Sequence, residues 1–414
     1  MTIRVPADPS PRLRLDGAAA AIGRARRAVL AERYAASAFK VEWRRLDELA
    51  SIADAWRALA ARALEPNVFY EPAFALAAAP VFGADAGAVL VWSGGGASRR
   101  LLGFLPARIE RRRYGLALPV LTGFTHPYGP LALPLVEREA AEPVIAAFLA
   151  HIAVDANLPG LLLLPFLPQQ GAFATALDVI LRRGRIPAAD LNRRLRAELV
   201  AADSGVDYLE RALPRRRRKE LRRLSRRLAE IGTVAVVPAT APGPVAAALK
   251  DFLALEARGW KGRAGTAAAG DDALLRFVQT AVARLAAEGK AAIHRLLLDN
   301  RAIAAAIVLR SGAGAWFWKI AYDETFARFS PGVLLTVVLT EELATEPALA
   351  FADSCATSDH PMIDHIWRER RALCDRLIAV RPGVRFASAR RLEGLRTAAV
   401  AAAKRVRDLL RTGS

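Results

Sequence analysis

The strongest constraint on the fold is an order of predicted helices and strands that the chain runs through twice. From about Gly232 onward, the hydrophobic periodicity of TVAVVPA, PVAAALKDFLALEARGW and DDALLRFVQTAVARLAAEG predicts one strand followed by two helices. Three apolar runs separated by the turns DNR and SGAGA predict an antiparallel meander. A helix from Pro331, a strand over ALAFADS, a helix over PMIDHIWRERR and a strand over LIAV complete the order β α α β β β α β α β.

The first half of the chain fits the same order. VEWRRL is strand-like, LASIADAWRALAAR and EPAFALAAA are helical, and three strands surround SGGGAS. EPVIAAFLAHIAV, PGLLLLPF, FATALDVILRR and LRAELVA then predict helix, strand, helix and strand. We therefore predict a mixed α+β fold of two tandem units, residues 40–200 and 201–386, each a mostly antiparallel sheet flanked by helices. Residues 1–39 form a flexible or helical extension in this interpretation, and 387–414 an amphipathic helix.

Composition indicates a folded protein and excludes several kinds of site. The hydrophobic fraction is 53%, which is too high for a wholly disordered chain. Cys355 and Cys374 lack metal-ligand spacing and are too few for a disulfide framework, so we expect a cytoplasmic protein. His360 and His365 have a proline between them and do not share a helix face, so no metal site is predicted. No apolar window is long enough to predict a membrane span.

The stretch ARFSPGVLLTVVLTEEL, residues 327–343, has the features of an anion-binding helix start. Proline at the first helical position has no N–H to lose, and the glycine after it lets a partner approach the backbone closely. The free N–H groups of a helix N-terminus attract anions such as phosphate. The alternative interpretation is an ordinary core helix that begins with proline.

Three segments of the second half carry a resemblance to a known family. KELRRLSRRLAEIG, LLLDNRAIAAAIVL and IAYDETFARFSPGVLL, in the order given above, resemble the GNAT superfamily of acyl-CoA-dependent acyltransferases. More narrowly, they resemble the CelD-like acetyltransferase subgroup of cellulose-biosynthesis type, whose members are often tandem GNAT folds related to Fem aminoacyltransferases. The resemblance covers residues 41–382 and implies acetyl-CoA or another acyl-CoA as co-substrate, without a metal.

The resemblance also implies which residues hold the cofactor. In that superfamily a basic, glycine-containing loop binds the pyrophosphate through backbone N–H groups, and the matching positions are Arg328, Phe329, Ser330, Gly332, Val333 and Leu334. The backbone of the fourth strand polarises the thioester, and the matching positions are Lys319, Ile320 and Ala321. The chain departs from the common Gly-x-Gly form of the loop, and Pro331 removes one donor.

Acyl transfer from a thioester to an amine requires a group that takes the amine proton and one that protonates the leaving thiolate. Tyr322 is the candidate acid, and Glu324 or Asp353 the candidate acceptor of the amine proton. His360 is a further candidate base, because the ordinary pKa of histidine lies near neutrality. For the carboxylates a turn or a helix cap is the alternative role, and for His360 a structural one. Asp359 is predicted to cap a helix from Pro361.

In the first half, GFTHPYGPLAL is polar and aromatic where the repeat presents the end of its fourth strand. We predict that His126 and Tyr128 line an acceptor pocket between the two units, with a Pro/Gly turn as the alternative. This half has no equivalent of SPG, so it is expected to shape the acceptor pocket and to bind no cofactor.

The charge of the chain is concentrated in one predicted helix. The formal net charge is +19, and residues 211–227 contain ten basic residues and one acid, a net charge of 10 − 1 = +9. Leu221, Leu224 and Leu228 form one apolar stripe, with arginine around the rest. The candidate partners are the phosphates of CoA, tRNA, an anionic membrane surface and an acidic glycan; a solvated face without a partner is the alternative. Without interleaved aromatic residues, readout of single-stranded nucleic acid is not favoured.

Three functions are compatible with these features. The first is an acyl-CoA-dependent N-acyltransferase, in which the amine of a small molecule or glycan precursor, such as a cell-envelope or polysaccharide precursor, attacks directly in a ternary complex. The second is a Fem-like transferase that uses aminoacyl-tRNA. The third is a non-catalytic GNAT-like protein that binds an anionic partner through the basic helix.

Overall fold

The computed structural model describes residues 39–94, 99–200, 204–383 and 385–412. The strands of the first half are β1 (Lys40–Arg45), β2 (Ala86–Ser93), β3 (Arg100–Glu110), β4 (Val120–Gly123), β5 (Leu135–Val136), β6 (Leu161–Pro168) and β7 (Ala188–Val200). Its helices are α1 (Ala53–Arg62), α2 (Pro72–Phe82), α3 (Ala141–Val154) and α4 (Ala172–Arg183). Short 3-10 helices cover Leu46–Ile52, Val68–Tyr70 and Arg138–Ala140.

The second half follows the same order. Its strands are β8 (Val234–Ala239), β9 (Ala291–Leu298), β10 (Arg301–Ser311), β11 (Gly314–Tyr322), β12 (Phe351–Asp353) and β13 (Glu369–Ala379). Its helices are α5 (Gly205–Ala212), α6 (Arg215–Ala229), α7 (Pro242–Arg258), α8 (Trp260–Arg263), α9 (Asp272–Ala287), α10 (Pro331–Ala344) and α11 (Phe386–Thr412). Short 3-10 helices cover Ala268–Gly270, Glu324–Phe329 and Ile363–His365.

All the strands belong to one sheet. In the described part of the chain it has 13 strands in the order β1-β2-β3-β4-β6-β13-β7-β12-β11-β10-β9-β8, with β5 beside β3. The pairs β4–β6 and β11–β12 are parallel, and the other pairs are antiparallel. The prediction of a mixed α+β fold, with a mostly antiparallel sheet flanked by helices, is therefore confirmed.

The two halves exchange their last strands. β13, from the end of the second half, pairs with β6 of the first half, while β7, from the end of the first half, pairs with β12 of the second. β13 and β7 pair with each other at the centre of the sheet. Each half therefore completes the sheet of the other, and we expect the two to unfold together.

One hydrophobic core extends through both halves on one face of the sheet. It includes Trp56 and Phe74 from the first half and Phe277 and Trp316 from the second. β10 is apolar from Ala302 to Leu309, and every residue of 303–309 is fully buried. A strand covered by helices on both faces has this continuous apolar pattern.

One predicted helix is wrong. PMIDHIWRERR forms only the 3-10 helix Ile363–His365 and then enters β13 at Glu369. The charged residues at the start of β13 are accommodated by the neighbouring strand, since the Arg371 Nε lies 3.1 Å from the Glu198 Oε1 of β7. Cross-strand pairing of this kind leaves no helical spacing in the sequence and is set by a residue far away in the chain.

The basic helix and the C-terminal helix are both present. α6 buries Leu221, Leu224 and Leu228 and exposes most of its arginines. α11 covers Phe386–Thr412. Most of the predicted N-terminal extension, residues 1–38, lies outside the described residues. Within the described ranges, none of the helices has the length and apolarity that crossing a membrane requires.

Candidate functional site

The candidate site lies where β11 and β12 part. The two parallel strands are paired only over three positions, Gly314 with Phe351, Ala315 with Ala352 and Trp316 with Asp353. Beyond Trp316, β11 continues to Tyr322 while the chain after Asp353 turns away. A cavity of about 970 Å³ opens between the two segments. The backbone edge of β11 is therefore accessible from the cavity.

Both halves of the chain line this cavity. Its walls are formed by residues 317–322 of β11, residues 354–357 after β12, the ends of α7 and α8, and Pro127, Tyr128 and Pro130 of the first half. Eight of the predicted site residues are among the lining residues: Tyr128, Lys319, Ile320, Ala321, Tyr322, Glu324, Gly332 and His360. Seven others do not line it: His126, Arg328, Phe329, Ser330, Val333, Leu334 and Asp353.

The start of α10 is a bare helix N-terminus at the cavity wall. Ser330 has left-handed backbone angles, φ 52° and ψ 50°, and its side chain does not cap the helix. Pro331 occupies the first turn, and Gly332 packs on the ring of Tyr322. A Cβ atom at Gly332 would lie 3.3 Å from the Tyr322 Cδ1, so a larger side chain must displace the Tyr322 ring.

The remaining residues of the predicted loop have different positions. Phe329 is buried in the core, and Arg328 is exposed with its guanidinium 4.8 Å from the Phe329 ring centre. The N–H of Leu334 donates to the Ser330 carbonyl at 3.0 Å, so it is already used within the helix. In the first turn, the N–H groups of Gly332 and Val333 have no partner within the helix, and of these two residues Gly332 lines the cavity.

The carboxylates predicted as bases have partners. Asp353 is fully buried; the Arg196 Nη1 lies 3.2 Å from its Oδ2, and the N–H of Cys355 donates to its Oδ1 at 2.7 Å. It thus joins β12 to β7 and is held away from the cavity. Glu324 accepts hydrogen bonds of 2.6 Å from the Trp260 N–H and from Arg263. The Arg263 guanidinium is the main cause that lowers the pKa of Glu324.

His360 lies at the cavity wall, and its imidazole accepts two backbone hydrogen bonds. Its Nδ1 accepts the N–H groups of Met362 and Ile363 at 3.3 Å and 3.4 Å, so the neutral imidazole carries its proton on Nε2. Burial lowers the pKa of His360; Asp364 opposes this and Lys261 adds to it. This tautomer does not favour the predicted role as a base. Asp359 does not cap this segment as predicted, because the helix begins only at Ile363 and its N-cap residue is Met362.

The two acceptor-pocket residues of the first half have separate environments. Tyr128 lines the cavity, whereas the His126 ring is stacked on Phe82 with centroids 4.2 Å apart, inside an aromatic cluster with Phe277. Burial, with a smaller contribution from Arg108, lowers the pKa of His126 to about 3. His126 is therefore neutral at physiological pH. Its backbone forms an antiparallel bridge with Gly129, which closes the turn that contains Tyr128.

Two lysines and a buried glutamate form a cluster that the sequence analysis did not assign. Glu256 of α7 is buried and its Oε1 lies 3.0 Å from the Lys319 Nζ and 3.2 Å from the Lys261 Nζ. Its Oε2 accepts the N–H of Ala268 at 3.1 Å. Glu256 occurs within the apolar stripe of a predicted helix, and such a buried acid is the signal that could have identified it.

Contacts within this cluster determine the directions in which the pKa values of Glu256 and Lys319 shift. Burial alone would raise the pKa of Glu256, but the ammonium groups of Lys319 and Lys261 outweigh it and lower that pKa. Burial lowers the pKa of Lys319, and Glu256 opposes the change. The described residues contain no cluster of His, Cys, Asp and Glu that could hold a metal ion.

Comparisons with known proteins agree with this fold. Residues 215–355 match the family described as acetyltransferase (GNAT) domain, a range that includes β11, the start of α10 and β12. No curated protein matches the chain. The match, together with the fold, supports an N-acyltransferase of the GNAT type, a class that generally uses acyl-CoA.

Solved structures align with most of this chain at low sequence identity. The crystal structure of FemX is 11% identical with a TM-score of 0.52, over 79% of this chain and 95% of that one. The C-terminal domain of a putative lysylphosphatidylglycerol synthetase from Agrobacterium fabrum is 12% identical with a TM-score of 0.48, over 82% and 94%. A tandem GNAT protein of the clavulanic acid biosynthesis pathway is 14% identical with a TM-score of 0.40, over 82% and 98%. At 11% identity the likeness to FemX concerns the fold.

Proposed function

We propose that this chain is an acyl-CoA-dependent N-acyltransferase and that the acyl group is transferred in the cavity between β11 and β12. The single observation that carries the proposal is that one cavity is lined both by the open edge of β11 and by Gly332 at the uncapped start of α10. The first provides backbone donors for a thioester oxygen, and the second a site for the pyrophosphate of the cofactor. Acetyl-CoA is the acyl donor we propose.

The reaction needs few side chains. The nitrogen of the neutral amine attacks the thioester carbon, the C–S bond breaks, and the thiolate leaves with a proton from the Tyr322 hydroxyl. The Tyr322 phenolate then regains a proton through water from Glu324, which has taken up the proton of the amine. Tyr322 lines the cavity directly beneath Gly332. The amine proton passes through water to Glu324, whose carboxylate is at the wall and has lone pairs beyond the two that accept from Trp260 and Arg263.

The assay is release of CoA from acetyl-CoA in the presence of primary amines, followed with a thiol reagent. We expect Tyr322→Phe to lower kcat by about 100-fold while the affinity for acetyl-CoA stays within a factor of two, because general acid catalysis contributes about that much. Unchanged kcat in Tyr322→Phe would remove it as the acid. A wild-type protein that binds no acyl-CoA would overturn the proposed function itself.

We propose that the acceptor is the amine of a cell-envelope or polysaccharide precursor, which is the class that the CelD-like resemblance suggests. We propose the cytoplasm as the compartment in which it is modified. Tyr128 of the first half lies at the side of the cavity opposite α10, which makes that side the proposed acceptor entrance.

A second candidate function is favoured by the surface of α6. Its residues Arg215, Arg216 and Arg217 are exposed, and none of them has an ion-pair partner among the described residues. Such a surface suits a polyanion such as tRNA, the acyl carrier of a Fem-like transferase, or an anionic partner of a non-catalytic protein. The FemX structure shares the fold.

Charge reversal distinguishes this candidate from the first. If α6 binds tRNA, changing Arg215, Arg216 and Arg217 to Glu weakens tRNA binding strongly and reduces the salt dependence of the binding that remains. Changing the exposed Arg390 and Arg391 of α11 to Glu has neither effect. Equal tRNA affinity in both variants would exclude a role of α6. Binding of acetyl-CoA is expected to persist in both.

A further inference from the structure

β11 divides the cavity into two sides with different chemistry. The side chains of Ile320 and Tyr322 face α10 and belong to the hydrophobic cluster that surrounds that helix. Trp318 belongs to the cluster on the opposite face, and the Lys319 Nζ lies 4.3 Å from the Tyr128 ring centre and 3.0 Å from Glu256. The Lys261–Glu256–Lys319 cluster is therefore separated by the strand from the proposed pyrophosphate site.

The cluster has more positive than negative charge. Two ammonium groups share one carboxylate, and the side chains of Lys319 and Glu256 are only 10% and 1% exposed. Among the described residues that line the cavity, the other acid is Glu324, which Arg263 already neutralises. The acceptor side of the cavity thus carries one excess positive charge in a partly desolvated place, where it attracts an anion strongly.

The cluster also has hydrogen-bond donors to spare. Each ammonium group has three N–H bonds, and each uses one on the Glu256 Oε1. Glu256 cannot serve an incoming amine well, because it already accepts from both lysines and from the Ala268 N–H. The free N–H groups of Lys319 and Lys261 are matched by an oxyanion that bridges them.

We propose that the Lys261–Glu256–Lys319 cluster binds an acidic group, a carboxylate or a phosphate, on the acceptor, so that the acceptor is an amine that also carries a negative charge. This inference rests on the proposed function and deepens it. Glu256 is a positioning residue that holds the two lysines together, and the lysines determine acceptor specificity.

The experiment measures thermal stability in the presence of CoA with pairs of probes that differ in charge. We use 4-aminobutyrate against 4-aminobutanamide, and 2-aminoethyl phosphate against ethylamine. We expect at least one acidic probe to stabilise the wild-type protein, and we expect its counterpart without the acidic group not to do so. A preference for the carboxylate or for the phosphate identifies the group.

Variants locate the binding in the cluster. We expect Lys319→Met and Lys261→Met to weaken binding of the acidic probe by at least about tenfold, which corresponds to about 1.4 kcal/mol. Lys319→Arg retains the charge and restores part of the affinity. Lys250→Met, on the exposed face of α7, is the matched control and binds as the wild type does. Should Lys319→Met not fold, Lys319→Met with Glu256→Gln removes the pair together.

Two results overturn the inference. One is equal stabilisation, or none, by the acidic and neutral probes while acetyl-CoA still stabilises the protein. The other is an acidic probe that binds Lys319→Met and Lys261→Met as tightly as the wild type. If acetyl-CoA does not stabilise the wild-type protein, the result is different from these two, because it overturns the proposed function.

Discussion

The indole Nε1 of Trp318 donates a hydrogen bond of 2.7 Å to the carbonyl oxygen of Tyr128. On β11, Phe317 pairs with Val308 of β10 and Lys319 pairs with the adjacent Ile307. Trp318 is therefore an extra residue with no partner on β10, which is a β-bulge. The bulge turns the indole toward the first half of the chain. This bond therefore joins the proposed thioester strand to the proposed acceptor side.

We expect Trp318→Phe to lower the free energy of unfolding by about 1–3 kcal/mol, since it removes a partly buried hydrogen bond and part of a core side chain. Acetyl-CoA binding is expected to persist, because the start of α10 is on the other face of β11. Urea denaturation and calorimetric titration measure the two quantities. An unchanged free energy of unfolding would show that the bond does not hold the halves together.

Asp353→Asn is expected to affect stability more than catalysis. The change leaves the buried Arg196 without its ionic partner, and loss of one member of a buried pair costs about 3–5 kcal/mol. Activity per folded molecule should remain within a few-fold of the wild type. A large loss of kcat in a fully stable variant would instead restore the predicted role of Asp353 as a base.

The pH dependence of stability should contain a contribution from His126. Its pKa is about 3 in the folded protein against 6.5 for an ordinary histidine, so between these values the unfolded chain binds one more proton. Stability therefore rises with pH through this window, by at most about 1.4 kcal/mol per pH unit for one group. His126→Phe, which retains the stacking on Phe82, should flatten the rise. Parallel pH profiles of the two proteins would contradict the burial of this ring.

Much of the second half could be predicted from its sequence. The apolar runs of β9, β10 and β11 and the Pro331 start of α10 are local patterns, and the resemblance singled out the same stretch. The exchange of β7 and β13 could not be predicted, because both strands mix apolar and charged residues in patterns that specify no partner. Pairing between such strands depends on the whole topology.

Some residues of the cavity could likewise be predicted from the sequence, and others could not. The predicted residues Lys319, Tyr322 and Gly332 line the cavity, and they belong to the stretch that the resemblance singled out. Glu256 and Lys261 were not predicted, because α7 and α8 reach Lys319 only through the folding of the sheet. His360 was found, yet its proton position depends on the N–H groups of Met362 and Ile363, which no spacing predicts.

The measurement that decides most directly is the thermal stability of the protein with and without acetyl-CoA in two matched glycine variants. Gly332 and Gly243 each follow the proline that begins a helix, but a Cβ meets the Tyr322 ring at Gly332 and open space at Gly243. At about 100 times its dissociation constant, acetyl-CoA should stabilise the wild type and Gly243→Val by about 2.7 kcal/mol. Gly332→Val should show no stabilisation. If acetyl-CoA stabilises Gly332→Val as much as the wild type, or stabilises none of the three proteins, the start of α10 is not the acyl-CoA site.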